Sequence, residues 1–330
     1  MDVIATDAEL GVAIVGNGTI GDLTADVLDS VAGARVTARL SGRDPHWGAL
    51  GADTQVVAVC SSHGRHVPYA MAAVESGRHV VVEKPLSLDV DDGRRLLEAS
   101  HARGVQVSVI SQRRWEPAVA AAHAAVVSGV PGRLLLAEAL VRWRRDEAYY
   151  RDRPWRGTIA EDGGVLFNQA IHVLDLLRFL GGEVESVSGA TGTLRHRIEA
   201  PDTAVAHLRF AGGALGVVSA TTASTSPSPA ELNLHFENGV IRFADDRVAE
   251  WSVPGIESPT TMDAVGSGSA DPRAIGLVGH RRQWLRIVDD LRAGRASAVA
   301  GEDALRTVAL VAAIHASAER GGAPVAPELP

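Results

Sequence analysis

The sequence predicts an α/β protein whose first half folds as a doubly wound parallel sheet. In that half, short apolar runs alternate with stretches of helical spacing, the order from which parallel sheets are built. A glycine-rich turn follows the first apolar run, and a lysine ends a later one. The chain of 330 residues is long enough for two cores, because single cores rarely grow past ~250–300 residues. We therefore predict two domains, residues 1–115 and residues 116–330.

The composition of the chain excludes several classes of binding partner and favours one compartment. The 32 Lys and Arg against 40 Asp and Glu residues give a net charge of −8, which predicts no nucleic-acid or membrane surface. Cys60 is the only cysteine, so a disulfide framework is excluded and a reducing compartment is favoured. Residues 1–10 lack the basic region of a secretory signal, and no apolar run approaches the ~20 residues that span a bilayer. We expect a soluble cytoplasmic protein.

The first strand and its turn predict a dinucleotide site. An apolar run at residues 12–15 ends in Gly16, Gly18 and Gly21, spaced G-x-G-x-x-G, and helical spacing follows. The first glycine allows the bend, the second admits a pyrophosphate and the third lets the helix pack closely on the strand. Thr19 and Ile20 open the helix, whose amino terminus faces the anion. We predict cofactor contacts from this turn.

The end of the second strand bears on the choice of cofactor. That strand, residues 35–40, is followed by Ser41 and Arg43, with no carboxylate at the strand end. A carboxylate there holds the ribose of NAD, whereas an arginine accommodates the 2′-phosphate of NADP. We predict NADP as the preferred cofactor, with NAD possible. The alternative is that Arg39 and Arg43 are surface charges beside a turn and Asp44 reaches the ribose.

The rest of the first half continues the alternation. Ser61 and His66, after the third strand, are predicted to line the cofactor crevice. The pair His63 and His66 does not predict a metal site, because no third ligand accompanies it. Strands are predicted at residues 55–60, 79–83 and 105–111, and helices at residues 69–76 and 86–101.

The tripeptide Glu83-Lys84-Pro85 ends the apolar run at residues 80–82. A lysine at the carboxyl end of a buried parallel strand stands at the edge where open α/β sheets bind ligands. Desolvation lowers the pKa of a lysine, so Lys84 is a candidate general acid/base near neutrality. We also predict that Glu83 and Lys84 contact the cofactor.

A second polar group is predicted in the helix at residues 163–177. Asn168, His172 and Asp175 are exceptions in an otherwise apolar stretch, and their spacing places them on one stripe. Buried polar groups need partners or line a cavity. One interpretation is three satisfied core residues. The other is a site that orients a substrate oxygen and exchanges its proton, as carbinol oxidation by a nicotinamide enzyme requires.

Aromatic and guanidinium groups are concentrated just before this helix, at residues 142–158. Aromatic faces pack on sugar C–H faces, and arginine binds hydroxyls or phosphates, so Tyr150 and Arg156 are predicted substrate contacts. Gln112 is a further predicted contact. The structural alternative is that the rings shield a domain seam. The predicted substrate is a pyranose, a sugar conjugate or a cyclitol.

The second half is predicted to be rich in strands. Asn238-Gly239 predicts a hairpin turn, and residues 252–279 a long loop. Strands are predicted at residues 134–141, 184–194, 203–210, 215–220, 232–236 and 240–243, and helices at residues 284–291 and 304–318.

Taken in order, these motifs resemble the Gfo/Idh/MocA oxidoreductases, the glucose–fructose oxidoreductase and inositol dehydrogenase family. The resemblance covers nearly the whole chain, including Asp202-Thr203-Ala204-Val205-Ala206 and the closing runs at residues 280–283 and 313–318. It implies a Rossmann domain at residues 1–115. For residues 116–330 it implies a substrate-binding and oligomerisation domain, α/β with a largely antiparallel open-faced sheet. A homodimer or homotetramer is therefore expected.

The resemblance also implies the roles of single residues. Lys84 and His172 flank the substrate carbinol beside the nicotinamide, and Asn168 stands where many relatives carry aspartate. The bond before Pro85 is often cis. Three departures are visible: Asn168 cannot ionise, Ser61-Ser62-His63 replaces a Thr-Pro-Asn-like turn, and the segment of residues 42–54 is shorter than usual.

The function predicted is an NAD(P)-dependent oxidoreductase that moves a hydride between nicotinamide and a secondary alcohol or ketone of a sugar, nucleotide sugar or cyclitol. Lys84 is its general acid/base, His172 the partner and Asn168 an orienting donor. One alternative is a glycosidase that uses transient oxidation by a bound nicotinamide. A non-catalytic nucleotide sensor is the other, which has no need of Lys84 and His172.

Overall fold

The computed structural model of the chain describes residues 9–259 and 276–328. Two compact units are present. The first unit comprises the described residues up to Gln112 together with Leu277–Val308, and the second comprises the described residues of Arg113–Gly276 and Ala309–Leu329. The expected absence of a secretory signal concerns residues 1–10, of which residues 1–8 lie outside the described part.

The elements follow the predicted alternation closely. The strands are β1 (Leu10–Val15), β2 (Ala34–Leu40), β3 (Val56–Val59), β4 (His79–Val82), β5 (Val107–Val109), β6 (Leu134–Arg142), β7 (Val184–Gly192), β8 (Thr203–Phe210), β9 (Leu215–Thr221), β10 (Glu231–Phe236), β11 (Gly239–Ala244) and β12 (Arg247–Trp251). The helices are α1 (Thr19–Asp29), α2 (His66–Glu75), α3 (Val90–Arg103), α4 (Pro117–Val127), α5 (Glu147–Asp152), α6 (Ile171–Gly181), α7 (Leu277–Arg292) and α8 (Gly301–Glu319).

The sheet of the first unit is entirely parallel, in the order β2-β1-β3-β4-β5. This confirms the predicted doubly wound sheet. The chain moves from β1 to β2 on one side and returns to β3 on the other, which makes a switch point of strand order beside β1. Gly16, Ser41 and Lys84 all follow the carboxyl ends of these strands, the edge where such sheets bind ligands.

The predicted start of α3 changes. The helix predicted from residue 86 begins at Val90, because Asp89 acts as its N-cap and accepts the N–H of Asp92 at 2.9 Å. The segment of residues 42–54, which is shorter than usual for the resemblance, contains a 3₁₀ turn, Trp47–Ala49, and no α-helix.

The carboxyl-terminal part of the chain contributes to the first unit. Trp284, Ile287 and Val288 of α7 are at most 2% exposed and belong to the same core cluster as β1 and β3. The Val109 N–H also donates to the carbonyl of Val299 at 3.2 Å. Because this apolar face of α7 is buried in the first core, a single cut after residue 115 does not describe the compact units. The functional division into two domains stays a prediction.

The sheet of the second unit is largely antiparallel, in the order β12-β11-β10-β6-β9-β8-β7. The β6–β9 pair is parallel, and the other five pairs are antiparallel. Side chains of β8 alternate strictly: Ala204, Ala206 and Leu208 are buried, whereas Val205 and His207 are exposed. One face of this sheet is therefore packed on the core and the other is open, as the resemblance implies.

The hairpin prediction is confirmed with a shifted turn. Phe236 pairs with Gly239, so Glu237 and Asn238 form the turn, one residue earlier than the predicted Asn238-Gly239. Strand β12 was not predicted. The loop predicted at residues 252–279 falls largely on residues 260–275, outside the described part, and α7 begins within its predicted range.

Within residues 9–259 and 276–328, no helix combines the length and the apolar character needed to cross a bilayer.

Candidate active site

Each glycine of the turn after β1 is explained by a different physical constraint. Gly16 has a φ of +135°, and a Cβ on it would lie 2.4 Å from the carbonyl oxygen of Cys60. A Cβ on Gly21 would lie 2.0 Å from the carbonyl oxygen of Gly16. A Cβ on Gly18, by contrast, would meet nothing within 4 Å. Gly16 and Gly21 are thus required for close packing, and Gly18 keeps open space at the start of α1.

The amino terminus of α1 borders this open space. Gly18 is the N-cap of α1, and the first bond of the helix joins the Asp22 N–H to the Gly18 carbonyl at 3.0 Å. The N–H groups of Thr19 and Ile20 precede that bond and have no acceptor within the helix. The Thr19 side chain is exposed, and Ile20 packs partly on the core. Backbone donors at a helix amino terminus are the usual partners of a dinucleotide phosphate.

The turn after β2 offers an exposed cation. Arg39, on the strand itself, forms an exposed ion pair with Asp22 at 2.5 Å. Ser41 Oγ accepts the backbone N–H of Arg43 at 3.2 Å, which shapes the turn. The Arg43 side chain is exposed and forms no ion pair with any described residue, and Asp44 beside it is exposed as well. Arg43 and Asp44 therefore both remain candidates for the ribose side of a cofactor.

His66 lies in a different place from the predicted one. The imidazole is completely buried, with Nδ1 2.7 Å from the carbonyl oxygen of Pro85 and Nε2 3.2 Å from that of Ser61. Burial lowers the pKa of His66 to about 4, so the ring is neutral near physiological pH. With no exposed surface, the ring cannot contact a cofactor. It joins the loops after β3 and β4, and Ser61 remains half-buried at the first of them.

Glu83 and Lys84 end β4 in different environments. Glu83 is 8% exposed, and burial raises its pKa to about 7, against the opposing effect of the Lys84 charge. Its Oε1 lies 3.9 Å from Nε2 of His280, on α7. Lys84 is half-buried, and its bond to Pro85 is cis, as the resemblance implies. The Glu83 side chain is thus buried, whereas the adjacent Lys84 keeps part of its surface exposed.

Lys84 is also the only lysine of the chain, a compositional signal that the motifs did not reveal. All the other members of the 32 Lys and Arg residues are arginines. An arginine cannot lose its proton in a protein, whereas a lysine can when its surroundings disfavour the charge. The one position that carries a lysine is therefore the one at which proton exchange is predicted.

In the second unit, the polar stripe of the predicted helix is interrupted. A π-helical turn, Leu166–Ala170, precedes α6 and replaces the regular α-helical spacing. Between residues 163 and 177, only Asn168 and His172 are not fully buried. Asp175 is buried and accepts two hydrogen bonds from Arg114, at 2.7 and 2.5 Å. Asp175 therefore has a structural role, whereas Asn168 and His172 are partly exposed. Short π-helical turns are frequent at functional sites.

The side chain of Asn168 is hydrogen-bonded to a residue that no sequence pattern indicated. Its Nδ2 donates to Oδ1 of Asp162, which is 2% exposed. The hydroxyl of Tyr149 lies 3.5 Å from the same Nδ2 and 3.4 Å from Nε2 of Gln169. The predicted role of Asn168 as an orienting donor is therefore revised, because its donor group faces Asp162.

Tyr150 has a structural role, contrary to the prediction. Its hydroxyl shares a buried hydrogen bond of 2.8 Å with Oγ1 of Thr222, and its ring lies 4.8 Å from that of His196. His196 in turn contacts Asp202 through Nδ1 at 3.0 Å. The neighbouring Tyr149 is the tyrosine beside Asn168. Sequence spacing could not separate the two rings, because a short helix turns adjacent side chains in different directions.

Arg156 lies next to Tyr149, and its predicted contact with a substrate stays a prediction. Its guanidinium carbon is 4.1 Å from the ring centroid, and Nη1 donates to the Tyr149 carbonyl at 2.9 Å. Arg145 lies 5.1 Å from the same centroid, and burial lowers its pKa, with a further lowering from the Arg156 charge. Two cations thus flank one tyrosine ring beside Asn168.

Gln112 begins a 3₁₀ turn at the end of the first unit, and its buried Oε1 has no hydrogen-bond partner among the described residues.

Within residues 9–259 and 276–328, no group of three or more His, Cys, Asp or Glu side chains is arranged to hold a metal ion. The rings of His63 and His66 pack at 5.6 Å without such an arrangement.

Comparison with known proteins agrees with this geometry. A family model for the GFO/IDH/MocA C-terminal domain matches residues 119–242, and one for the oxidoreductase family with an NAD-binding Rossmann fold matches residues 47–111. D-apiose dehydrogenase of Paraburkholderia graminis is 28% identical over 277 residues, which cover 80% of this chain and 71% of that protein. Myo-inositol 2-dehydrogenase of Thermotoga maritima is 28% identical over 270 residues, or 79% and 76% of the two chains.

A solved structure extends the likeness over the full length. The WlbA dehydrogenase from Bordetella pertussis, in complex with NADH and UDP-GlcNAcA, matches with a TM-score of 0.85 at 28% identity. The match covers 99% of this chain and 100% of that one. The chain belongs to the GFO/IDH/MocA family of NAD-binding oxidoreductases.

Proposed function

We propose that this protein is a dehydrogenase or ketoreductase of a sugar, nucleotide sugar or cyclitol. The reaction moves a hydride between a nicotinamide coenzyme and a secondary alcohol or ketone carbon. The observation that carries the proposal is the position of the single lysine of the chain, Lys84, just after the carboxyl end of β4 in a fold with an open glycine turn. The relatives named for D-apiose and myo-inositol, and the neighbour bound to UDP-GlcNAcA, support these substrate classes.

The residues of this chain have separate roles in the proposed reaction. When bound, the nicotinamide coenzyme supplies the acceptor or donor of the hydride. Lys84 is the general acid/base that exchanges the proton of the substrate oxygen, and His172 is its partner at that oxygen. Asn168 and Arg156 orient the substrate. Glu83 and Ser61 support the coenzyme side, together with the backbone of the glycine turn.

For the coenzyme, we propose a preference for NADP over NAD. The support is the exposed Arg43, which has no carboxylate partner among the described residues, and the lack of an acid at the end of β2. Titration of the protein with NADPH and NADH, followed by fluorescence, tests this preference. We expect tighter binding of NADPH and a selective loss of NADPH affinity in Arg43→Ala. Tighter binding of NADH, with Asp44→Ala as the damaging variant, contradicts it.

The proposed reaction is tested by a screen of sugars, nucleotide sugars and cyclitols with both coenzymes, read by the absorbance of the reduced nicotinamide. The expected result is net oxidation or reduction of at least one substrate class. Release of a leaving group without net change in that absorbance indicates the glycosidase reaction instead. Coenzyme binding without turnover of any compound indicates a sensor.

We further propose a cytoplasmic homodimer or homotetramer that pairs through the open face of the second sheet. Leu136, Val205 and Leu215 are 39%, 48% and 52% exposed on neighbouring strands of that face. Exposed apolar patches on a sheet face favour association. Light scattering after gel filtration measures the mass. A monomer at micromolar concentration contradicts the proposal.

A further inference from the structure

Asp162 is a buried carboxylate beside the candidate site that no role above explains. We propose that Asp162 is a positioning residue, which fixes the Asn168 amide so that its oxygen, and not its nitrogen, faces the substrate. Asn168 then accepts a hydrogen bond from a substrate hydroxyl. The inference rests on the proposed function, because it assigns Asn168 to the substrate side.

Both oxygens of Asp162 are engaged. Oδ2 accepts the backbone N–H of Gly157 at 2.7 Å, and Oδ1 accepts Nδ2 of Asn168. The side chain is 2% exposed, so these bonds are shielded from water. A buried carboxylate that lost such partners would carry a large desolvation cost, and the Asn168 amide is therefore tightly oriented.

The backbone at Gly157, which donates its N–H to Asp162, is fixed by close packing and by hydrogen bonds. Gly157 has a φ of +76°, and a Cβ on it would lie 2.6 Å from Cγ2 of Ile198. The N–H groups of Glu199 and Ala200 both donate to the Gly157 carbonyl, at 3.0 and 2.9 Å. The carboxylate therefore cannot follow Asn168 if the amide rotates.

The chemistry then selects one orientation of the amide. An ionised carboxylate only accepts hydrogen bonds, so the NH₂ group of Asn168 must face Asp162. The amide oxygen points away from it as an acceptor. The side chain at this position thus presents the same type of atom that an aspartate would present, without a charge. This is the physical reason why an asparagine can occupy a position where the resemblance implies aspartate in many relatives.

Exchange of the two residues tests the inference. In Asp162→Asn the introduced amide accepts the Gly157 N–H and directs its own NH₂ at Asn168. The Asn168 amide must then flip and present a donor. In Asn168→Asp two carboxylates face each other and cannot both ionise. In the double variant, the introduced amide at position 162 accepts the Gly157 N–H and donates to the introduced carboxylate at position 168, so an acceptor again faces the substrate.

We expect each single variant to lower kcat/KM at least about tenfold, and the double variant to recover to within about threefold of the wild type. The pH profile separates the variants as well, because only Asn168→Asp gains a new titration from its shared proton. Asp91→Asn, which removes an exposed carboxylate from α3, is the matched control and should keep wild-type kinetics. Thermal unfolding shows whether each variant is folded.

A second measurement does not require a substrate. The side-chain NH₂ resonances of Asn168, assigned by their loss in Asn168→Ser, should show slow hydrogen exchange in the free wild-type protein. They should shift and exchange faster in Asp162→Asn. Unchanged Asn168 resonances in that variant, or a folded double variant no more active than the worse single one, overturn the inference. If no substrate is turned over, the resonances still decide it, so its failure is distinct from that of the proposed function.

Discussion

The buried imidazole of His66 bridges two loops of the candidate site, with Nδ1 2.7 Å from the carbonyl oxygen of Pro85 and Nε2 3.2 Å from that of Ser61. Pro85 directly follows Lys84, and Ser61 follows β3. One side chain thus holds together the loop of the predicted general acid/base and a loop of the predicted cofactor site. This arrangement predicts that the stability of the first unit depends on pH.

We predict that stability falls as the pH is lowered from 6.5 to about 4. The pKa of His66 is about 4 in the folded protein against an ordinary histidine value of 6.5, so in this window the unfolded chain binds more protons. The loss is on the order of 3 kcal/mol. Urea unfolding across this range measures it. His66→Gln should be less stable near neutrality and should lose this part of the pH dependence, whereas the exposed His207→Gln should retain it.

The titration of Glu83 is predicted to have the opposite effect on the pH dependence of stability. Its folded pKa of about 7 lies above the ordinary value of 4.5, so the folded state retains a proton that the unfolded chain loses, and stability falls as pH rises through this window. Cys60, Lys84 and His280 are the titratable groups that face Glu83. Glu83→Gln should exceed the wild type in stability at about pH 8, by up to ~3 kcal/mol. An equal effect of the exposed Glu75→Gln would contradict this assignment.

Replacement of Lys84 is predicted to stop turnover and spare coenzyme binding. Lys84→Met should lower kcat at least ~100-fold, the range of general acid–base catalysis. Lys84→Arg should be equally impaired, because arginine keeps the charge but does not release the proton. Steady-state kinetics and coenzyme titration provide the measurements. Near-normal turnover in either variant rejects the assignment.

The absence of other lysines permits a direct measurement. Reductive methylation with ¹³C-formaldehyde labels Lys84 and the chain terminus alone, so a single side-chain signal reports the titration of the amine. The proposed role of Lys84 requires this signal to titrate below the ordinary lysine pKa of ~10.4. Titration at or above that value argues against Lys84 as an acid/base near neutrality.

Substitutions of the two adjacent tyrosines are predicted to have different effects, one on stability and the other on substrate binding. Tyr150→Phe removes the buried hydrogen bond to Thr222 and should cost about 1 kcal/mol of stability with little change in KM. Tyr149→Phe removes the hydroxyl beside Asn168 and should raise KM with little loss of stability. Thermal unfolding and kinetics of both variants measure the effects. The reverse pattern would restore the sequence-based assignment of Tyr150.

Two substitutions in the glycine turn should likewise differ, one affecting coenzyme binding and the other affecting stability. Gly18→Ala should fold normally, since its Cβ meets nothing within 4 Å, but should weaken coenzyme binding at least ~10-fold by obstructing the pyrophosphate. Gly21→Ala should destabilise the fold, because its Cβ would lie 2.0 Å from the Gly16 carbonyl oxygen. Melting temperatures and coenzyme titrations distinguish them. A Gly18→Ala variant with wild-type affinity places the pyrophosphate elsewhere.

Much of the site was predictable because it depends on local patterns. The roles of Gly16 and Gly21 follow from spacing after a strand, and the position of Lys84 follows from the apolar run before it. The environment of Asn168 was not predictable in the same way. A π-helical turn changes the spacing of the polar residues, so Asp175 joins Arg114 in the core and Asn168 faces Asp162.

The amino-acid sequence by itself determined the alternation of strands and helices, the parallel first sheet and the glycine turn, because these depend on periodicity and on backbone freedom at single positions. The tertiary structure decided which polar groups meet. The pairs His66 with Pro85 and Asp162 with Asn168 are set by the paths of loops and by burial. Such contacts have no periodic signal, since their energy arises only when the folded chain excludes water from both partners.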